Sequence, residues 1–270
     1  MMRTSLPWGA SMPLRFCARA LPTSFADVHR SIDLNCDLGE GSGSDEQLMP
    51  LVTSANIACG GHAGDRTSMG ESLRLAALHG VRAGAHPSYP DRLNFGRAEL
   101  DIPGAALRAE IEAQVRALSA LGTIGHVKPH GALYNRAARD PAVASVVAAA
   151  VKAVDPALVL FALSGSELEK AGEAAGLRVM SEVFADRTYQ PDGSLTPRDK
   201  PGALIDEPDA CLWQALAMIT RGCVRSMSGT EVCLRADTVC LHGDGKHAVR
   251  FAHALRLGLR EAGISLQSYH

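Results

Sequence analysis

At 270 residues and 28.4 kDa, with a formal net charge of −2 and a sequence pI near 6.5, the chain can form one large α/β barrel or two smaller domains. It carries no basic stripe for a nucleic-acid partner. Aromatic residues are only 4% of the total, so platforms for stacking bases or sugars are few, and no run approaches the roughly 18 apolar residues of a membrane span. The seven cysteines form no C-x-x-C pair and no zinc-finger spacing, so neither a disulfide framework nor a structural zinc site is implied, and a reducing cytoplasm fits best.

Residues 1 to about 30 contain Arg3, Arg15 and Arg19, no acid before Asp27, and prolines at Pro7, Pro13 and Pro22. They lack an apolar core of signal-peptide length and are read as a disordered extension ahead of one domain over 31–270. Ile32 to Asp37 alternates like a strand, followed by a flexible Gly39-Glu40-Gly41-Ser42-Gly43 loop whose acids speak against phosphate. Thr53 to Ala58 is a second strand. Asp65 then caps a helix with Met69, Leu73 and Ala76 on its buried stripe and Gly80 past its end. Val81 to Ala85 is the third strand, and Pro103 opens a long helix that Gly122 stops.

Ile124 to Val127 is the fourth strand. Lys128 precedes Pro129, which disfavours helical geometry, so the lysine is held extended, and Gly131 lets the chain turn. Pro141 to Val154 is the return helix. Leu158 to Ala162 and Arg178 to Glu182 are strands five and six, with a helix to Ala175 between them. The polar excursion from Phe184 to Pro201 is long enough to be functional or mobile. A helix over Pro208 to Arg221, a hairpin within Arg225 to Arg235, strand seven at Thr238 to Leu241 and a final helix complete the chain. Seven alternating strand–helix units imply a parallel sheet. Polar residues after nearly every strand imply a single seven-stranded (β/α) barrel rather than a doubly wound sheet with one switch point.

In such a barrel His62, His86, His130 and His242 converge on one mouth, and Asp33, Asp37, Asp65 and Asp244 bring carboxylates to the same region. Imidazoles with acids suit general acid and base work, which makes His130, Lys128, Asp244, His242 and Asp37 the catalytic candidates. They also suit a divalent metal, with His62, His86 and Asp33 as candidate ligands, although no histidine pair has the i, i+4 helical spacing. Lys128 can polarise a carbonyl or hold a carboxylate, with a pKa lowered by desolvation among other cations. Arg187 and Arg198 can grip a carboxylate or phosphate by bidentate pairing, alongside His62, His86 and Asn35 as substrate contacts.

Several stretches together resemble the LamB/YcsF family: Asn35-Cys36-Asp37-Leu38-Gly39-Glu40-Gly41, Ala55 to Asp65, Gly84-Ala85-His86-Pro87-Ser88-Tyr89-Pro90-Asp91, His126 to Asn135, Glu182 to Arg187, and Leu241-His242-Gly243-Asp244. The likeness runs from Ile32 to about Ile264 and departs at Gly61, where many members carry Phe. The resemblance implies an α/β barrel similar to polysaccharide deacetylases. It further implies a subunit of an ATP-dependent 5-oxoprolinase, which cleaves 5-oxo-L-proline to L-glutamate with hydrolysis of ATP to ADP and phosphate. Two further subunits, B and C, would then act with it. With no P-loop or dinucleotide fingerprint in the chain, ATP is expected to be held chiefly by those partners. The alternatives are a metal-dependent deacetylase of an N-acetylated carbohydrate and a non-catalytic regulatory subunit. Neither a nucleic acid nor a membrane is expected as a partner.

Overall fold

In the first strand, β1 (Ser31–Leu38), side chains alternate between two environments. Leu34, Cys36 and Leu38 join the main hydrophobic core, while Asp33, Asn35 and Asp37, equally buried, bond one another's neighbours across a polar interior. The structure, a computed structural model, describes residues 31–245 and 247–269, so the disordered extension expected before residue 31 lies outside the described residues.

The strands after β1 are β2 (Ser54–Ala58), β3 (Arg82–His86), β4 (His126–Val127), β5 (Val159–Leu163), β6 (Val179–Phe184), β7 (Cys223–Arg225), β8 (Glu231–Cys233), β9 (Thr238–His242) and β10 (Ser265–Leu266). Seven of them, in the order β1-β2-β3-β4-β5-β6-β9, are parallel, and β9 pairs back onto β1 to close a barrel. The expected seven-stranded (β/α) barrel is thus observed. Short β10 extends the barrel foot beside β1, and β7 with β8 forms the expected antiparallel hairpin.

Helices α1 (Asp45–Leu48), α2 (Arg66–His79), α3 (Gly104–Ser119), α4 (Gly131–Arg139), α5 (Pro141–Val154), α6 (Glu167–Ala174), α7 (Pro208–Arg221) and α8 (Ala248–Glu261) accompany the strands. The main core lies between the helices and the outward faces of the strands, with Ile57, Val127, Leu160, Val183, Val239 and Leu241 among its strand residues. A separate small core of Val159, Phe161, Met180 and Tyr269 fills the foot of the barrel.

Three sequence expectations change. Asp65 is spent as the cap of α2, accepting from the Thr67 and Ser68 N–H groups, and brings no carboxylate to the mouth. Two helices, not one, follow β4: Gly131 takes a left-handed φ of 54° and opens α4, and Asp140 with Pro141 caps and starts α5. The excursion after β6 is a packed structure. Arg187 pairs with Leu204 and Tyr189 with Leu195 in antiparallel bridges, and the fully buried Tyr189 hydroxyl accepts the Phe184 N–H at 2.7 Å. At Gly61 a side chain would meet Ser88 and Gln114. Here the Gln114 amide fills that space and bonds both backbone groups of Ser88.

Candidate functional site

The barrel interior is a ladder of polar groups supplied by alternate residues of the strands. At its foot Asp33 accepts hydroxyl hydrogen bonds from Thr53 at 2.8 Å, Ser54 at 2.6 Å and Thr238 at 2.5 Å, and burial still pushes its carboxyl up to about 6. Four residues before Asp37 on the same strand, it lies roughly 13 Å below the mouth. Asp33 therefore cannot share a metal with His62 and His86. One step up, the Asn35 amide donates to Glu182 Oε1 at 2.9 Å and Thr238 Oγ1 at 2.7 Å, while the Asn56 amide donates to Asn35 at 2.7 Å and Asp37 at 2.8 Å. Asn35 thus supports the site from beneath and does not line the cavity as a substrate contact.

His126 links this layer to the foot. Both Asn56 N–H groups are committed, so Asn56 Oδ1 accepts from His126 Nε2 at 2.8 Å and the Tyr269 hydroxyl donates to Nδ1 at 2.8 Å. Burial, with the Lys128 charge nearby, drops the His126 pKa to about 3, in keeping with a neutral ring.

Lys128 sits at the centre. Its ammonium group contacts Asp37 Oδ1 at 2.8 Å, Cys240 Sγ at 2.9 Å, Glu182 Oε1 at 3.0 Å and Asn35 Oδ1 at 3.3 Å, and lies 5.3 Å from the Phe184 ring centroid. This corrects the expected lowering of its pKa. Burial disfavours the charge, but Asp37 and the other groups around it outweigh that, and the pKa is raised well above the usual lysine value. Lys128 is a fixed cation, not a base. Asp37 is burdened by burial but held well below the usual carboxylate range by His86 and Lys128.

A cluster of imidazoles adjoins Asp37. His86 Nε2 lies 3.3 Å from Asp37 Oδ2 and 2.9 Å from His130 Nδ1. His130 Nδ1 is 3.3 Å from Glu40 Oε1, and His62 Nε2 is 3.0 Å from the same oxygen. The His62 and His130 rings stack at 3.7 Å. His62 is buried behind Glu40 and does not line the cavity, and burial drops its pKa to about 4. His130 Nε2 faces Phe95 O at 3.0 Å and Nδ1 is turned onto His86 and Glu40, so neither ring nitrogen is aimed into the open cavity as a general base. Glu40, Glu182, Asp186, Asn56 and Tyr134 are site residues outside the sequence-based candidate set. Tyr134 donates to Glu182 Oε2 at 2.7 Å.

A cavity of about 380 Å³, in the size range of small-molecule sites, opens above this layer between β-strand ends and the 185–204 segment. Asp37, His86, Lys128, His130, Arg187, Arg198 and His242 line it. His242 Nδ1 contacts both oxygens of Asp186 at 3.0 Å, and its backbone N–H donates to Asp186 Oδ2 at 3.0 Å. Since the carboxylate accepts from Nδ1, the Nε2 lone pair is the one left to face the cavity. Asp186, penalised by burial, is nonetheless held below the usual carboxylate value chiefly by His242.

Arg187 is 3% exposed and donates to the carbonyls of Thr196 at 2.5 Å and Ala203 at 3.4 Å. Among the described residues no carboxylate oxygen pairs with its guanidinium, and burial together with the Arg198 charge lowers its pKa to about 10. Arg198 lies on the same wall, 3.9 Å from Asp244 Oδ2, and Arg97 also pairs with Asp244. Asp244 is therefore a rim residue tying down two arginines, not a group placed for proton transfer.

A closed parallel barrel carrying, at the carboxyl ends of its strands, a small cavity lined by a fixed lysine, an Asp–His pair and an arginine wall defines a (β/α)-barrel protein with a cavity of small-molecule size. The chain belongs to the LamB/YcsF family, whose model matches residues 32–270. It is 52% identical over 248 residues to the A subunit of 5-oxoprolinase from Geobacillus kaustophilus, covering 88% of this chain and 97% of that protein. It is 52% identical over 242 residues to the corresponding 5-oxoprolinase protein of Erwinia tasmaniensis, covering 88% and 99%. The crystal structure of the lactam utilization protein from Thermus thermophilus superposes with a TM-score of 0.83 at 42% identity, covering 88% of this chain and 100% of that one.

Proposed function

We propose that this chain is the lactam-handling component of an ATP-dependent 5-oxoprolinase, acting with two further subunits to convert 5-oxo-L-proline, ATP and water into L-glutamate, ADP and phosphate. The observation that carries the reading is the buried Arg187, which has no acid of its own beside Arg198 and across a small cavity shared with the His242–Asp186 pair. A buried guanidinium without a carboxylate is completed by a ligand carboxylate, and 5-oxoproline supplies one.

A five-membered lactam is a stable amide, so direct hydrolysis is slow. Transfer of the ATP γ-phosphoryl group to the lactam carbonyl oxygen turns C5 into a good electrophile. With no P-loop or dinucleotide motif in this sequence, that transfer is assigned to the partner subunits. The His242 Nε2 lone pair then takes a proton from a water that attacks C5, with Asp186 stabilising the resulting imidazolium. His242 returns that proton to the ring nitrogen as the C5–N bond breaks, and the proton left on the C5 hydroxyl passes to the freed amine as the new C=O forms, which yields the γ-acyl phosphate of glutamate. A second water releases phosphate. Lys128, held by Asp37 and Glu182, keeps a fixed positive charge beneath the negative charge that develops on the oxygens.

The reading is tested by reconstitution. Glutamate and phosphate are expected from 5-oxoproline and ATP when all three subunits are combined, and none from this chain alone. Glutamate formation by the isolated chain, with tight ATP binding to it in calorimetry, would refute the division of labour.

A further inference from the structure

Glu40, His86 and His130 leave an unusual account of their protons. His86 Nδ1 faces the Lys128 carbonyl at 2.7 Å and His130 Nε2 faces the Phe95 carbonyl at 3.0 Å. Carbonyls only accept, so both of those nitrogens carry hydrogen. In neutral rings the other two nitrogens, His86 Nε2 and His130 Nδ1, are then bare lone pairs, and they point at each other from 2.9 Å. Glu40 Oε1, a third acceptor, sits 3.3 Å from one and 3.8 Å from the other. With both rings neutral, three acceptors converge with no donor between them, and Asp37 Oδ2 stands 3.3 Å from His86 Nε2 on the other side. The competing state is a His86 imidazolium, which burial disfavours and Asp37 favours.

Those three separations bracket the edge of a tetrahedron with metal–ligand bonds of about 2.0–2.1 Å, which is roughly 3.3 Å long. Histidine ligands whose outer N–H is fixed by a backbone carbonyl are the usual support of a metal centre. Glu40 reaches the cluster because Gly39 and Gly41, at φ of 74° and 79°, turn the loop back on itself, so a loop exposed at its backbone buries its carboxylate. His62 Nε2, 3.0 Å from Glu40 Oε1, holds that carboxylate from behind. His86 and His130 line the cavity, so the fourth position of the tetrahedron faces it.

We propose that Glu40 Oε1, His86 Nε2 and His130 Nδ1 bind one divalent transition-metal ion of the zinc class, with its fourth position open to the cavity. The donor set, two imidazoles and a carboxylate, suits zinc and its neighbours and not magnesium or calcium, which favour all-oxygen shells. The inference concerns ion binding and stands apart from the lactam reading, because its test does not depend on activity.

The full-length chain, stripped with a chelator, is titrated with zinc ion alone by calorimetry and with cobalt ion by visible absorption. One ion per chain is expected, with the absorption of a four-coordinate nitrogen and oxygen site. Glu40→Gln and His130→Gln are each expected to weaken zinc at least about a hundredfold, while His79→Ala, on the exposed end of α2, leaves it unchanged. X-ray absorption on the zinc-loaded wild-type chain keeps the test decisive if a variant misfolds: imidazole scattering without sulfur is expected. Absence of a stoichiometric ion, affinity untouched in folded Glu40 and His130 variants, or sulfur in the shell overturns the proposal. A stripped cluster that binds nothing would mean that the acceptors share a proton instead.

Discussion

Gly84 lies directly under the imidazole of His126, its register partner on the next strand, so closely that a methyl group built on Gly84 would occupy the ring itself. The missing side chain is what lets His126 stack on Phe161 at 4.2 Å and reach both Asn56 and Tyr269. Gly84→Ala is expected to force that ring aside and destabilise the fold by about 2 kcal/mol or more. That corresponds to a fall in Tm of about 4 °C or more for a chain of this length. Thermal unfolding followed by circular dichroism measures it, and an unchanged Tm would mean that the interior yields freely.

The His242–Asp186 pair makes a kinetic prediction. His242→Gln and Asp186→Asn should each reduce kcat of the reconstituted enzyme by about 10²-fold or more, the scale of a lost general base or its orienting partner. Binding of 5-oxoproline should change little, because neither residue is assigned to the carboxylate. Steady-state kinetics with calorimetry separates the two quantities, and near-normal turnover in both variants would remove His242 from the chemistry.

For Arg187 the order is reversed. Arg187→Lys keeps the charge but loses the planar fork that also holds the Thr196 and Ala203 carbonyls. The expected result is a rise in KM for 5-oxoproline of about tenfold or more with a smaller effect on kcat. A selective loss of kcat would place the substrate carboxylate elsewhere.

Asp33 predicts a pH effect on stability. Its carboxyl titrates at about 6 in the fold against an ordinary 3.8, mainly because burial disfavours the charge. Folding therefore takes up a proton between about pH 4 and pH 6. The contribution of this group is full below about pH 4 and is lost as pH rises through 6. Asp33→Asn titrates nowhere in that range, so the variant should gain on the wild type between pH 4 and pH 7, by up to on the order of 3 kcal/mol. Comparing the two chains cancels the opposing contribution of neutral His126, and urea unfolding at several pH values reads the difference. A constant gap would show that Asp33 ionises freely.

The barrel is legible in the sequence because strand signals recur between helical ones and because polar residues end nearly every strand. The alternation of Asp33, Asn35 and Asp37 also announces one shared interior. What is illegible is pairing at a distance. Glu182 reads as a strand terminus until β6 closes against β9 and sets it on Lys128. The charge state of Lys128 inverts for the same reason, since its neighbours in sequence are imidazoles and its neighbours in space are carboxylates. Glu40 reads as loop because nothing local reveals that two flanking glycines fold it inward. Helix α4 is masked by Gly131 at its start, although Ala132, Leu133, Tyr134 and Ala137 form its buried face.

The closing pair of the barrel fixes when the molecule can come into being. Asp33 on β1 meets Thr238 on β9 across 205 residues of chain. On the ribosome β1 is made first and β9 last among the seven strands, and for most of synthesis β1 and then β6 each present an open edge. Loop closure over such a span is costly in entropy and comes before any contact repays it. The interior that would be exposed meanwhile holds a lysine and carboxylates that neutralise one another only after closure. Barrel assembly is thus one late event, and the nascent chain depends on not pairing its free edges with a neighbour before its own seventh strand arrives.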